Sequence, residues 1–292
     1  MAPTLAIYSF GHNLEDIQYP YIESIRSALY FTRHLGVFMG GTVYFAICDC
    51  SDKTEDRIRN SFPEEIQDGE LKLFYHPWGD SHLTQVEICN YLLDQIGNQE
   101  VFAMKLDADE VLHEDSLERF RLDLSRMSTM GNILGRPHYT HMLDPRREFD
   151  FIYRSRAVIS RTSMGLRFTD NDACAIGGAP EYQTQLEIFH FGKWGPGRER
   201  EALQKEISFT KLYGKPFGFP DERVTSQADK GYLDYDMVFE HAAQHGEMRS
   251  FYGTFPMFAK PWIARMEQRE IEFQRELASG TFKKAEVERW WE

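Results

Sequence analysis

Short apolar segments alternate with helix-like segments along the first 110 residues. Between the apolar segments, residues 14–34 carry apolar positions at helical spacing, and Ser81 is a candidate N-cap for a helix that runs to about Ile96. The strand-like segments, in chain order, are Leu5–Tyr8, Thr42–Ile47, Leu71–Tyr75 and Val101–Leu106. Strands that alternate with helices predict an α/β fold with a doubly wound, mostly parallel sheet.

Polar residues follow three of these four segments. The clusters are Gly11–Asn13, Asp49–Asp52 and Asp107–Glu110. In open α/β sheets, ligands bind beyond the carboxyl ends of the strands, where such clusters meet. We therefore expect a single binding site at this edge of the sheet.

The segment VFAMKLDADE ends in the acids Asp107, Asp109 and Glu110. Residues two apart in an extended chain point to the same side, so a strand that ends here would present Asp107 and Asp109 together. Two like charges side by side are costly unless a positive charge lies between them. Oxygen ligands suit Mg²⁺ or Mn²⁺, which makes this pair a candidate metal site, although an acid pair alone also fits an exposed turn.

The composition limits the class of protein. Apolar residues make up 42% of the 292 residues, which argues against disorder, and the formal net charge of −13 disfavours binding to duplex DNA or to an anionic membrane. The spacing of Cys48 and Cys50 does not fit a zinc site, so reduced thiols are expected. Without a signal-peptide pattern or an apolar run near the roughly 20 residues that span a bilayer, we expect a cytoplasmic protein.

The second half is less regular. Residues 131–191 mix short strands with polar turns, residues 199–213 have a helical pattern, and residues 215–231 have the composition of a loop. Trp262, Met266, Phe273 and Leu277 fit one face of a helix. We expect a domain over residues 1–214, divided into a ligand-binding half (1–112) and an irregular acceptor-side half (113–214), followed by a loop and helical extension over 215–292.

The order of these motifs resembles the GT-A glycosyltransferases, specifically family 2. The loop after the second strand, Asp49-Cys50-Ser51-Asp52-Lys53-Thr54, matches the family's D-x-x-S-x-D-x-T type, and a helix carrying Asn90 precedes the D-x-D match at Asp107 and Asp109. Further on, His190-Phe191-Gly192 and the helix EREALQKEISFTKLYG resemble a subgroup with an H-[YF]-G element. The resemblance spans roughly residues 4–214 and lies in the order of the motifs.

The resemblance implies a role for each matching residue. Ser9, Gly11 and His12 would contact the base and ribose of a nucleotide-sugar, together with Asp49 and Asp52. Asp107 would lie near the ribose and the metal, Asp109 would ligate the Mn²⁺ or Mg²⁺ that bridges the diphosphate, and His190 would be a further metal ligand or diphosphate contact.

An inverting transfer also needs a base for the acceptor hydroxyl. In the subgroup an acid precedes the H-[YF]-G strand, and here the candidates are Asp172, which we favour, and Asp170. Lys193 and Arg198, in the loop KWGPGR, are candidates to close over the phosphates. The chain departs from the family at Cys89, where a basic residue is common, and in the loop after His190, where an acidic-proline turn is usual.

The sequence therefore predicts a metal-dependent glycosyltransferase of the hexosyltransferase type, acting on a nucleoside-diphosphate sugar (a UDP-sugar first) and a glycan or another hydroxyl acceptor. A nucleotidyltransferase is an alternative, but YSFGHNLED lacks its Gly-rich basic phosphate loop. A catalytically silent nucleotide-sugar or glycan-binding module is another. A modified-DNA acceptor is disfavoured by the net charge of −13.

Overall fold

A mixed ten-stranded sheet forms the centre of the protein in a computed structural model. The structure describes residues 4–35, 40–79, 83–97, 102–149, 158–169, 179–204, 207, 230–235 and 248–283. The described strands are β1 (Leu5–Gly11), β2 (Gly41–Ile47), β3 (Leu71–Tyr75), β4 (Phe102–Lys105), β5 (Glu110–Leu112), β6 (Leu134–Asp144), β7 (Arg147–Phe149), β8 (Ile159–Arg161), β9 (Glu181–His190) and β10 (Met248–Ser250).

Four parallel strands lie at the heart of this sheet in the order β3-β2-β1-β4. Their carboxyl ends share one edge. Beyond β4 the sheet continues through β8, β6, β7 and β10, each antiparallel to its neighbour, while β9 pairs parallel with β6 and antiparallel with β5. The short β5 follows β4 directly, so β9 brings its own carboxyl end next to the turn between β4 and β5.

Helices cover both faces of the parallel strands. The helices with complete bounds are α1 (Tyr21–His34), α2 (Thr54–Ser61), α3 (Pro63–Gln67), α4 (Thr84–Ile96), α5 (Leu117–Thr129) and α6 (Lys260–Ser279), and residues 199–204 are also helical. Successive β1 side chains alternate between two buried clusters: Leu5 and Ile7 pack with α1 and α5, whereas Ala6 and Tyr8 pack with α4. The prediction of a doubly wound α/β fold is confirmed.

The structure differs from the sequence expectation in several elements. The first helix begins at Tyr21 rather than near residue 14, because Pro20 disfavours helical backbone at the residue before it. Helix α4 begins at Thr84, and Ser81 lies outside the described residues. In the region expected to hold only short strands, β6 and β9 are 11 and 10 residues long, because they pair with each other along most of their length.

The C-terminal helix packs against the first domain as defined from the sequence. Trp262, Ile263 and Met266 of α6 share a buried cluster with Phe191 and Trp194, which directly follow β9. Leu277 is half-buried near the end of the helix, and the pair Trp290-Trp291 lies outside the described residues. Among the described residues, no helix is long and apolar enough to span a membrane.

Candidate active site

Three loops meet at the carboxyl edge of the parallel strands. The backbone amide of Cys48, after β2, donates to Gly11 O at 2.9 Å, and the amide of Leu106, after β4, donates to Tyr8 O at 3.0 Å. Strand pairing therefore extends to the points at which the polar loops begin. Because of this register, the three polar clusters predicted from the sequence lie at one edge.

The acids after β4 occupy a turn rather than an extended strand. The amide of Glu110 donates to Asp107 O at 3.0 Å, and residues 108–109 form the turn. Asp107 Oδ1 lies 2.9 Å from the ammonium of Lys105, which is buried at the end of β4. The ammonium group of Lys105 therefore offsets part of the negative charge of Asp107 and Asp109. The turn gives Asp107 and Asp109 different partners.

The side chains of Asp109 and His190 lie close enough together to ligate one cation. The antiparallel pairing of β5 and β9 sets Glu110 opposite His190, and Asp109 Oδ2 lies 3.4 Å from His190 Nε2. Two ligands of one octahedral ion, each about 2.1 Å from it, are separated by about 3 Å. A Cβ at Gly192 would come within 2.2 Å of Asp109 Oδ2 and 2.8 Å of His190 Nε2, so this glycine keeps the space beside both atoms open.

Glu110 lies behind the acid turn. It is 1% exposed, and its Oε2 accepts from the amide of Asp107 at 2.8 Å. Burial raises the pKa of the Glu110 carboxyl well above its ordinary value, and the charges of Asp107 and Asp109 raise it further. Among the described residues, Glu110 Oε1 has no hydrogen-bond partner.

An aromatic pair lies between the loops after β1 and β3. The rings of His12 and Trp78 stack with centroids 4.7 Å apart and planes 8° from parallel. His12 Nδ1 donates to Cys48 O at 2.6 Å, and the amide of Trp78 donates to Asp49 Oδ2 at 2.8 Å. Asp49 is exposed and adopts a left-handed φ of 42°, a conformation that aspartate tolerates better than most residues. These contacts form a half-exposed flat surface next to an exposed carboxylate.

Asp52 connects the loop after β2 to the loop after β1. Its Oδ2 accepts from the amides of Glu15 and Asp16 at 2.8 and 3.0 Å, and its Oδ1 accepts from the amide of Thr54 at 2.9 Å. Asn13 supports the same loop through its Oδ1, which accepts from the amide of Ser51 at 2.8 Å. These bonds hold the two loops together, and a contact of Asp52 with a nucleotide remains a prediction.

The two β1 residues Ser9 and Gly11 are buried. The Ser9 hydroxyl is among the buried polar atoms that lack a hydrogen-bond partner within the described part of the chain. A Cβ at Gly11 would come within 2.2 Å of Leu14 Cδ1, so glycine allows Leu14 to pack beneath the end of β1. Both residues shape the floor of the site, and any contact of theirs with a nucleotide remains a prediction.

Arg198 is buried and already engaged. Its guanidinium donates to Ile17 O at 2.9 and 3.1 Å, to Phe191 O at 3.2 Å and to Trp194 O at 3.3 Å, and it is 1% exposed. These contacts use four of the five guanidinium N–H groups, and a phosphate contact of Arg198 remains a prediction. Lys193 is half-buried in the same loop and remains the better candidate for a phosphate contact.

The candidate base residues Asp170 and Asp172 lie outside the described residues. Asn90, which carries part of the family resemblance, forms two hydrogen bonds with the backbone of Phe168: its Nδ2 donates to Phe168 O at 3.0 Å and its Oδ1 accepts from the Phe168 amide at 2.9 Å. Asn90 therefore anchors, on α4, the segment that leads to the two acids.

A second group of potential ligands lies at the far end of β5. Ligand atoms of His113, Glu114 and Asp115 lie within 4.8 Å of one another. His113 Nδ1 accepts from the amide of Asp115 at 3.3 Å, its Nε2 lies 3.1 Å from Thr254 O, and both carboxylate oxygens of Glu114 accept from the amide of Met257. These bonds join the chain to the segment before α6, and we leave this group outside the proposed site.

The sequence patterns assigned no role at the site to four residues: Trp78, Lys105, His141 and Gly192, the last of which appeared only as part of the H-[YF]-G element. Trp78, in the polar segment HPWGD after β3, could have been found because it follows a strand that ends at the same edge. The charge of Lys105 within an apolar strand was also a visible signal. The space at Gly192 and the contact between His141 Nδ1 and His190 Nδ1 at 3.0 Å depend on tertiary structure.

Comparison with known proteins gives distant matches among solved structures. No family model and no curated protein matches the chain. A mycobacterial protein matches at 10% identity and a TM-score of 0.42, over 74% of this chain and 76% of that chain. Glucosyl-3-phosphoglycerate synthase from Mycobacterium tuberculosis, in complex with Mn²⁺, UDP and phosphoglyceric acid, matches at 12% identity and a TM-score of 0.42, over 74% of this chain and 80% of that chain. Its complex with Mg²⁺ and UDP matches at 12% identity and a TM-score of 0.39, over 74% and 81%. All three TM-scores lie below 0.5, so the fold is described from the strand order of this chain.

Proposed function

We propose that the protein is a metal-dependent glycosyltransferase of GT-A fold that moves a sugar, of the hexose type, from a nucleoside-diphosphate sugar to a hydroxyl acceptor. The observation that carries the proposal is the convergence of Asp109 and His190, 3.4 Å apart, at the carboxyl edge of the parallel strands. Ligand sites of open α/β sheets lie at that edge.

Asp109 Oδ2 and His190 Nε2 would hold the cation, with Mn²⁺ or Mg²⁺ as the candidates. A carboxylate and an imidazole together suit Mn²⁺ somewhat better than Mg²⁺, which prefers oxygen ligands. When bound, the ion supplies positive charge to the diphosphate as it leaves the sugar. Asp107 already faces the ammonium of Lys105, and this supports a role for Asp107 in orienting the ribose rather than in ligating the metal.

The aromatic pair of His12 and Trp78 offers a flat surface for a nucleobase, with Asp49 beside it as an acceptor for base or ribose donors. Lys193, which follows the H-[YF]-G element, would contact the diphosphate. A UDP-sugar fits this arrangement, because the carboxylate of Asp49 can accept from the imide N–H of a uracil ring.

The catalytic step needs a base that takes the proton of the acceptor hydroxyl while the sugar is inverted. Asp172, with Asp170 as the second candidate, follows the segment that Asn90 anchors. We keep a glycan as the proposed acceptor, because a hydroxyl nucleophile with a nearby carboxylate base is the chemistry that the motif order implies.

Thermal unfolding with ligands tests the donor site. We expect Mn²⁺ and a UDP-sugar to raise the unfolding temperature together, because ligands that bind only the folded state stabilise it by about 2.7 kcal/mol at a hundredfold excess over Kd. Asp109→Asn is expected to abolish the joint shift. Asp115→Asn is the matched control. If this variant loses the shift and Asp109→Asn keeps it, the metal site is the group around His113.

A screen for donor hydrolysis separates the enzyme from other classes. Slow, metal-dependent release of UDP from one UDP-sugar supports a transferase, whereas stabilisation without turnover supports a binding module. Release of pyrophosphate from a nucleoside triphosphate with a sugar phosphate would indicate a nucleotidyltransferase. The proposal fails if no nucleotide-sugar shifts the unfolding temperature with or without metal.

A further inference from the structure

The two ring nitrogens of His190 face different groups. Nε2 lies 3.4 Å from Asp109 Oδ2, and Nδ1 lies 3.0 Å from Nδ1 of His141. Both imidazoles are buried, with His190 2% and His141 1% exposed. The register of the parallel strands β6 and β9 sets His141 directly beside His190. The second histidine therefore belongs to the architecture of the site.

The two Nδ1 atoms are close enough for a hydrogen bond, in which one of them carries the proton and the other accepts it. A hydrogen bond needs one donor and one acceptor, and in a neutral imidazole one nitrogen carries a proton while the other carries a lone pair. If His190 ligates a metal through Nε2, its lone pair is there and its proton is on Nδ1. His190 then donates to His141, which accepts through Nδ1 and carries its own proton on Nε2.

The ring of His141 is held in the orientation that this bond needs. It stacks on Tyr139 with centroids 5.5 Å apart and planes 7° from parallel, and it meets the ring of His190 edge-on at 4.8 Å and 71°. Burial on β6 leaves little freedom for another rotamer. The acceptor is thus fixed before any ligand binds.

We propose that His141 is a positioning residue for the cation site: it accepts the Nδ1 proton of His190 and so keeps the Nε2 lone pair of His190 directed toward Asp109. The inference rests on the metal assignment in the proposed function. Partners on the second nitrogen of a ligating histidine commonly set its tautomer and orientation, and their loss weakens metal binding by about 10- to 100-fold.

Two variants of His141 separate its hydrogen bond from its volume. His141→Phe fills the space but offers no acceptor, and we expect it to raise the Kd for Mn²⁺ by about 10- to 100-fold. His141→Asn places an amide oxygen near the former Nδ1, and we expect it to keep the Kd within about threefold of the wild type. Mn²⁺ binding to the full chain is measured from the electron paramagnetic resonance signal of the free ion.

The Nδ1 proton of His190 provides a readout that a purely structural role of His141 would not change. In long-range ¹H–¹⁵N spectra of the Mg²⁺-loaded protein, we expect His190 to carry its proton on Nδ1, with its signals assigned by their absence from His190→Ala. His141→Phe is expected to leave this Nδ1 proton without an acceptor, so that it exchanges faster with water, and His141→Asn is expected to keep it protected. A wild-type His190 protonated on Nε2 would overturn the inference, even if neither variant folds.

The same measurements distinguish the two proposals. If His190→Ala binds Mn²⁺ as tightly as the wild type, the metal assignment itself is wrong. If His190→Ala weakens binding while His141→Phe changes neither the Kd nor the water exchange of the His190 Nδ1 proton, the proposed function stands and the role of His141 is refuted.

Discussion

Gly192 shows how one missing atom shapes the site. The residue follows β9, and its backbone is outside the left-handed region, so glycine is needed there for space rather than for conformation. A Cβ at this position would meet Asp109 Oδ2 at 2.2 Å and His190 Nε2 at 2.8 Å. Those are the two atoms that we assign to the cation.

We therefore expect Gly192→Ala to weaken Mn²⁺ binding by about 10-fold or more, because the methyl group displaces the Asp109 carboxylate from its position beside His190. The atoms that must move are side-chain ends, so the metal-free protein is expected to lose less than about 1 kcal/mol of unfolding free energy. Mn²⁺ titration and urea denaturation measure the two effects. Gly40→Ala, where a Cβ meets nothing within 4 Å, is the control, and wild-type Mn²⁺ affinity in Gly192→Ala would contradict the assignment.

The loop after β9 is held in place by the contacts of a buried arginine. Arg198 lies at the end of this loop and donates to the carbonyls of Ile17, Phe191 and Trp194, which belong to two segments distant in sequence. Its guanidinium also lies 4.7 Å from the ring centroid of Tyr19. Through these hydrogen bonds, Arg198 connects two loops: the loop after β9, which contains Lys193, and the loop after β1.

Arg198→Met tests whether this residue is structural or a phosphate contact. We expect it to lower the unfolding free energy by about 3 kcal/mol, because it leaves buried carbonyls without donors. Arg121→Met, which removes a half-exposed arginine paired with Glu118, is expected to change it by less than about 0.5 kcal/mol. Unchanged stability together with a raised KM for the donor would support the phosphate contact predicted from the sequence.

At the scale of the whole molecule, the C-terminal helix α6 is joined to the loop after β9 by a pair of carboxyl groups. The amide of Gly197 donates to Glu199 Oε1 at 3.0 Å and to Glu270 Oε2 at 3.1 Å. Burial, together with the hydrogen bond to Glu270 and its charge, raises the pKa of Glu199 to about 9. At neutral pH the pair therefore shares one proton.

This shared proton links stability to pH. The pKa of Glu199 is higher in the folded than in the unfolded chain, so its stabilising contribution is complete below about pH 4.5 and is lost as the pH rises toward 9. We expect the unfolding free energy of the wild type to fall, relative to Glu199→Gln, by up to about 1.4 kcal/mol per pH unit in this range. Urea denaturation at several pH values measures the difference. Glu118→Gln, an exposed control, should run parallel to the wild type, and parallel curves for Glu199→Gln would contradict the assignment.

The sequence by itself determined the alternation of strands and helices, the face of α6 that is buried and the edge at which the polar loops gather. Each of these follows from local periodicity and residue type. The sequence also offered Asp109, because it follows a buried strand, and His190, through the family resemblance, as candidate metal ligands, and that role remains a prediction.

Only the tertiary structure decided which side chains form ion pairs, hydrogen bonds and close contacts at the site. Lys105 neutralises Asp107 because the acids lie in a turn, Arg198 is engaged by backbone carbonyls, and His141 meets His190 across 49 residues of sequence. These contacts depend on strand register and on side-chain direction. Both are set by packing of the whole sheet, and the pattern of any one segment does not encode them.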